Sequence, residues 1–148
     1  MNAKKIVIFD IDGTLADNNH RQYFVSDGRK EWDKFFSLMG DDLPVLPVIE
    51  LCQALFASDN YEIQIFSGRP ERYRRLTEQW LAWNSVPSLP LSMRKDGDYR
   101  PDAEVKEEML LKLEKEGKQI AFVVDDRKPV VEMWRKHGIV CLQCAEGK

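Results

Sequence analysis

Apolar residues recur along this chain in two alternating rhythms. Short runs rich in Ile, Val and Phe, KIVIFD at 5–10, EIQIF at 62–66 and QIAFVV at 119–124, predict strands buried on both faces. Between them the apolar positions spread to helical spacing. Trp32, Phe36 and Met39 mark a helix over 29–39, and Val48, Leu51, Cys52, Leu55 and Phe56 mark one opened by Pro47. Tyr73, Leu76, Trp80 and Trp83 mark a third, with Pro70 in its first turn. A short strand is expected near 89–93. The clearest helix spans 102–116: Asp102 is placed to cap it, Val105, Met109 and Leu113 line one face, and Gly117 ends it. Helix 129–137, closed by Gly138, and strand 139–143 complete the chain. Strands and helices alternate throughout, so the expected fold is α/β: a Rossmann-like parallel sheet flanked by helices, in one domain over residues 1–148.

Ligands of such sheets bind at the carboxyl ends of the strands, and the residues able to do chemistry collect there. Asp10-Ile11-Asp12-Gly13-Thr14 follows the first strand, Ser67-Gly68-Arg69 the second, and Asp125-Asp126 the run IAFVV. Residues two apart in an extended chain share a side, so Asp10 and Asp12 are expected to approach one substrate together. Gly13 permits a sharp exit from the strand. Two carboxylates this close repel unless a cation separates them or one holds a proton, and both remedies serve phosphoryl transfer. Four fixed positions of this kind arise by chance in roughly one chain per thousand of this length, so DIDGT is informative even alone. Asp125 and Asp126 offer hard oxygen ligands suited to Mg²⁺, either one being able to touch the ion directly. Ser67 and the Gly68 N–H suit a phosphate oxygen, and Arg69 suits bidentate phosphate contact. Lys106, one turn after Asp102, is expected to be oriented by it and to balance the crowded carboxylates.

Composition narrows the function more than the fold. The chain has 148 residues, 43% hydrophobic and 32% charged, with a net charge of −3, which excludes a general polyanion-binding surface and a disordered chain. Arginines cluster locally at 72, 74, 75, 94 and 100, and those from Arg94 to Arg100 could grip a nucleic-acid backbone. Three cysteines rule against a disulfide framework. The C-x-x-C of Cys141 and Cys144, with His137 nearby, lacks the further ligands of a structural zinc site and reads as strand-end packing. No signal segment or membrane-length apolar run occurs, so a cytoplasmic protein without membrane contact is expected.

Assembled in order, DIDGT, Ser67, Lys106 and Asp125-Asp126 resemble the four motifs of the haloacid dehalogenase superfamily across the whole chain. The resemblance implies a Mg²⁺-dependent phosphatase with Asp10, Asp12 and Lys106 as catalytic residues and Asp10, Asp12, Asp125 and Asp126 around the metal. Asp10 would be the nucleophile, forming an aspartyl-phosphate, and Asp12 the acid and then the base. SGRPERYRRLTEQWL (67–81), VKEEML (105–110) and VVDDRKPVVEMWRKHGIVCLQCAEG (123–147) more narrowly resemble the 3′-phosphatase domain of the bacteriophage polynucleotide kinase-phosphatase family. That likeness implies substrate-binding roles for Arg21, Ser67, Gly68, Arg69, Asp102 and Arg127. It implies 3′-phosphorylated DNA or RNA ends as substrate.

No G-x-x-x-x-G-K-[ST] occurs, since Gly117-Lys118 is followed by Gln119; a kinase or ligase partner would lie on another chain or domain. Residues 15–46 leave room for only a flap and one helix, a minimal insert that would keep the site open to a polymer end. A small-molecule phosphatase acting on mononucleotides or sugar phosphates shares every catalytic residue. A non-catalytic phosphate-binding module is the reading from another class, and nothing would select two crowded carboxylates in it. Four tryptophans and an apolar last strand are compatible with a homodimer.

Overall fold

The computed structural model describes residues 3–147. Five strands form one parallel sheet: β1 (Ile6–Phe9), β4 (Glu62–Pro70), β5 (Leu91–Arg94), β6 (Ile120–Asp125) and β7 (Cys141–Gln143). Their order is β5-β4-β1-β6-β7. The chain therefore builds outward from β1 to β5, returns, and adds β6 and β7 on the other side. The topological switch falls beside β1, and the ends of β1 and β6 form the crevice there.

Period-two alternation divides the apolar strand residues between two cores. Val7 and Phe9 of β1, Ile63 and Ile65 of β4 and Val124 of β6 face one core, closed by Ile49, Cys52, Trp80 and Leu81. These come from α2 (Leu46–Ser58) and α3 (Arg74–Trp83). Ile6, Ile8, Phe66 and Val123 face the other, closed by Leu110, Leu113, Val130, Val131, Met133 and Trp134. Those come from α4 (Asp102–Lys115) and α5 (Lys128–Lys136). The central strand is buried on both sides, and it is a run of β-branched and aromatic residues for that reason.

Several expectations need correcting. Helix 29–39 contracts to α1 (Trp32–Ser37), followed by a 3₁₀ turn at Met39–Asp41, and a second 3₁₀ segment covers Asn19–Val25. The insert is closed at its neck by a two-residue antiparallel pair, β2 (Ala16–Asp17) with β3 (Leu43–Pro44). Leu51, Phe56, Trp32 and Trp83, read as core positions, are exposed. On α2 the buried stripe runs through Ile49 and Cys52 instead, with Val48 and Leu55 partly covered. Pro70 ends β4 with ψ 146° rather than opening a helix, because a ring-fixed φ suits extended backbone as well as a first turn. No helix of the described residues is long and apolar enough to cross a membrane.

Candidate active site

Three strand ends and one helix deliver a compact set of charged groups. Asp10, just past β1, accepts a hydrogen bond from Lys106 Nζ (2.6 Å) through Oδ1 and one from Thr14 Oγ1 (3.0 Å) through Oδ2. Lys106 projects from the buried face of α4 and also reaches Asp125 Oδ2 (3.0 Å). That same oxygen accepts the Trp134 indole N–H (3.3 Å), and Asp125 Oδ1 accepts the Asp126 backbone N–H (2.9 Å). Asp125 thus accepts three hydrogen bonds. Asp126 accepts a side-chain bond only from Thr14 Oγ1 (3.3 Å). Asp10, Asp125 and Asp126 are all buried and offer oxygens within 4.8 Å of one another, the one group of metal-ligating type among the described residues.

The electrostatics follow from this crowding. Burial, then the neighbouring Asp125, pushes the Asp10 carboxyl well above its ordinary value, and Lys106 only partly offsets them. Burial likewise raises Asp126. Burial would lower Lys106, but Asp10 and Asp125 outweigh it, so its ammonium holds its proton more firmly than an exposed lysine.

Asp12 belongs to a second cluster. It accepts from Arg21 Nη2 (2.5 Å) and, in a fork, from Arg69 Nη2 (2.8 Å) and Nε (3.0 Å). Both arginines are fully buried. The Asp12 carboxylate is therefore not part of the metal-type trio, contrary to the expectation of four aspartates around one ion. Asp10 and Asp12 hold different partners, because extended geometry stops at Phe9. From Ile11 the chain turns, with the N–H groups of Thr14, Leu15 and Ala16 all reaching the Ile11 carbonyl. Burial alone would raise Asp12; the Arg69 and Arg21 guanidiniums outweigh it and hold the carboxyl well below the usual range. In the ligand-free site Asp12 is a carboxylate, not the protonated acid that the spacing suggested.

Behind Asp12 stands a residue that sequence reasoning missed. Asp42, its side chain without solvent exposure, accepts from Arg21 Nε (2.8 Å) and Nη2 (2.8 Å) and from Arg69 Nη2 (3.3 Å). His20 Nε2 lies 2.6 Å from Asp42 Oδ1, the oxygen that also accepts Arg21 Nε, and the Asp42 carbonyl accepts the Trp80 indole N–H (2.9 Å). An acidic pair in a polar insert carries no sequence signal that would single it out. Trp134 left a weak one, since an indole facing a sheet must find an acceptor.

Two glycines are required sterically. Gly13 has φ +84°, and a Cβ there would sit 2.6 Å from the carboxyl carbon of Asp126. A Cβ on Gly68 would meet Asp102 Oδ1 at 2.5 Å. Ser67 Oγ accepts the Arg69 N–H (3.1 Å), leaving its own proton free to donate.

Asp102 neither caps α4 nor orients Lys106. Pro101 holds the cap position without a side-chain bond, and Asp102 bridges Arg94 and Arg127 (2.7 Å to Arg127 Nη1). Tertiary guanidiniums win over an i,i+4 lysine whose ammonium is drawn into a buried acidic pocket. Arg94 also donates to the Gly68 carbonyl (2.8 Å), and Arg100 pairs with Asp98 and Glu108, so neither stands free as a backbone grip. Cys141 is buried, with its thiol pushed up to about 12, and His137 pairs with Glu107 (2.7 Å).

A buried aspartate joined to a lysine, an acidic pair and an Asp-Arg-Arg cluster stand together at the switch point of a parallel sheet, and fold and kinship make this a phosphatase of the haloacid dehalogenase type. A haloacid dehalogenase-like hydrolase from Streptococcus pneumoniae shares the fold at 14% identity, covering 93% of this chain and 83% of that one with a TM-score of 0.62. The chain belongs to the family of polynucleotide kinase PNKP phosphatase domains, whose model matches residues 4–148. Solved structures of the Pnkp1/Rnl/Hen1 complex agree: one shares 33% identity over 97% of this chain with a TM-score of 0.81. A second, described as an RNA repair complex, shares 32% over 98% with a TM-score of 0.80. This chain spans 47% and 43% of the lengths of those two chains.

Proposed function

We propose that this phosphatase removes 3′-terminal phosphates from DNA or RNA through an aspartyl-phosphate on Asp10, with Mg²⁺ as cofactor. The observation that carries the chemistry is the charge imbalance at the crevice. Asp10, Asp12, Asp42, Asp125 and Asp126 face only three buried cations, Arg21, Arg69 and Lys106. With every carboxylate ionised, the excess is two negative charges, which a divalent ion neutralises. Asp10 and Asp126 would hold it. Asp125, already accepting from Lys106, Trp134 and the Asp126 N–H, positions the lysine instead. The ion supplies charge neutralisation to the phosphate oxygens.

The residues then divide the work. An Asp10 oxygen attacks phosphorus in line, and the bond from phosphorus to the 3′-oxygen breaks. Asp12 gives that oxygen a proton; it then takes one from the water that attacks the phosphoenzyme, releasing phosphate and restoring Asp10. The low Asp12 pKa demands a loading step. A phosphate dianion entering between Arg21 and Arg69 competes for their guanidiniums, so substrate binding itself lifts Asp12 toward protonation. Ser67 and the Gly68 N–H complete the phosphate cradle, while Asp102 and Arg127 close its outer side.

Kinship with the PNKP phosphatase domains and with the chain of an RNA repair complex supports a nucleic-acid end as substrate. The product, a 3′-hydroxyl, is what an end-joining reaction consumes, and a kinase or ligase partner is proposed on that ground. Phosphate release should be compared on a 3′-phosphorylated oligonucleotide, nucleoside 3′- and 5′-monophosphates and a sugar phosphate, with Mg²⁺ present and chelated. The expected order puts the oligonucleotide first and turnover at background under chelation; preference for 5′-monophosphates would sink the assignment.

Metal binding should also depend on pH in a definite direction. Because the folded-state pKa of Asp10 is raised, its contribution to the stability of the metal-free protein is present at low pH and lost as pH rises through that value. Protons and Mg²⁺ compete for the same oxygens, so Mg²⁺ should raise Tm more near about pH 8 than near about pH 5. Equal shifts in thermal melts at the two values would contradict the assigned ligands.

A further inference from the structure

The insert carries an aromatic face that phosphoryl transfer does not use. Tyr23 is 59% exposed and Trp32 is 49% exposed. Trp32 stacks on Phe36 (6.1 Å, 26°), and Phe36 lies tilted against Tyr73 (5.3 Å, 32°) just beyond the end of β4. Phe35, buried beneath them, packs its ring under the Arg21 guanidinium at 4.3 Å, and its carbonyl accepts from Arg21 Nη1 (3.3 Å). The aromatic run therefore starts one ring away from a group of the phosphate cradle.

Cations accompany it. The Arg29 guanidinium lies 4.0 Å from the Tyr23 ring, Lys34 Nζ 4.9 Å from Phe24 and Arg72 5.1 Å from Tyr73. Arg29 also lies 3.6 Å from Asp27, and Arg72 pairs with Asp33 (2.8 Å), whereas Lys34 has no carboxylate partner among the described residues. A small core for the insert needs Phe35 and Met39, both buried. It does not need a half-exposed tryptophan.

Resting on the 3′-end reading above, we infer that the Trp32–Phe36–Tyr73 face binds the unpaired bases next to the phosphorylated 3′ end, with Trp32 as stacking platform and Arg72, beside Tyr73, near the strand's phosphates. Aromatic rings interleaved with cations, continuous with a phosphate site, suit single-stranded polynucleotide: stacking tolerates any base, and only an unpaired base offers its face. A protein partner would leave turnover of free oligonucleotides indifferent to Trp32.

The test uses the whole chain with Mg²⁺ and two substrates, a 3′-phosphorylated single-stranded oligonucleotide and p-nitrophenyl phosphate. In Trp32→Ala the ratio of kcat/KM for oligonucleotide over aryl phosphate should fall about five- to tenfold, mostly through KM, and Trp32→Phe should restore most of it. A substrate-side change gives the same answer without touching the protein. An oligonucleotide lacking its last two bases should lose a similar factor with the wild type and almost nothing further with Trp32→Ala. An unchanged ratio, or equal losses on both substrates from a loosened Arg21, overturns the surface while leaving the 3′-phosphatase reading standing. Absence of wild-type oligonucleotide turnover, with aryl phosphate cleaved, overturns both.

Discussion

Asp10→Asn should abolish turnover, lowering kcat by about 10,000-fold or more, on every phosphomonoester tested. An amide oxygen is too weak a nucleophile for phosphorus, and the change also removes one of the two carboxylates, Asp10 and Asp126, that would hold Mg²⁺. The fold should survive. Asparagine keeps its one oxygen for Lys106 Nζ and turns its amide N–H to Thr14 Oγ1, which still donates to Asp126 Oδ1, and a carboxyl already raised in pKa by burial and by Asp125 loses little when made neutral. Asp12→Asn separates the two half-reactions. With p-nitrophenyl phosphate, whose leaving group needs no proton, the variant should release about one equivalent of nitrophenol per enzyme and then stall, because no base activates water. With a 3′-phosphorylated oligonucleotide there should be no burst. Rapid-quench measurement of both variants checks this, and steady turnover by Asp10→Asn would remove the nucleophile from the scheme.

What made the site legible in sequence was confined to the strand ends. IVIF is unambiguous because a strand buried on both faces admits little else, IAFVV is buried from Val123 on, and the carboxylates that follow them had nowhere to point except the crevice. The charged partners beyond one turn of chain were another matter. Asp102 and Lys106 share a helix face, yet their partners come from β5, from the loop before α5 and from β1, choices that only three-dimensional proximity decides. The pairing of Asp10 with Asp12 assumed that the strand rhythm continued through a turn that begins at Ile11. The insert was least legible. Its 3₁₀ segments have no periodicity to detect, and its ordering depends on Arg21 and Arg69 finding Asp42, three residues from separate stretches.

That dependence makes Asp42 the residue whose loss should cost most stability. In Asp42→Ala two fully buried guanidiniums keep only Asp12 as a carboxylate partner, itself partly exposed, and an uncompensated buried charge costs about 3–5 kcal/mol. For a chain of this size that lowers Tm by roughly 10 °C or more. Asp42→Asn, which preserves one acceptor oxygen, should cost less. A purely structural role would end there, but the geometry requires a catalytic signature as well. Freed from Asp42, Arg21 and Arg69 bear on Asp12 alone and hold its pKa lower still. A lower acid pKa means the proton is lost at lower pH, so the alkaline limb of the pH–rate profile for a poor leaving group should move toward acid in Asp42→Asn. With p-nitrophenyl phosphate, which does not need that proton, the limb should stay where it is. Profiles that shift together on both substrates, or not at all, would reduce Asp42 to packing. A shift on the poor leaving group alone would show that a buried carboxylate, remote from the reacting phosphorus, sets when the acid is armed.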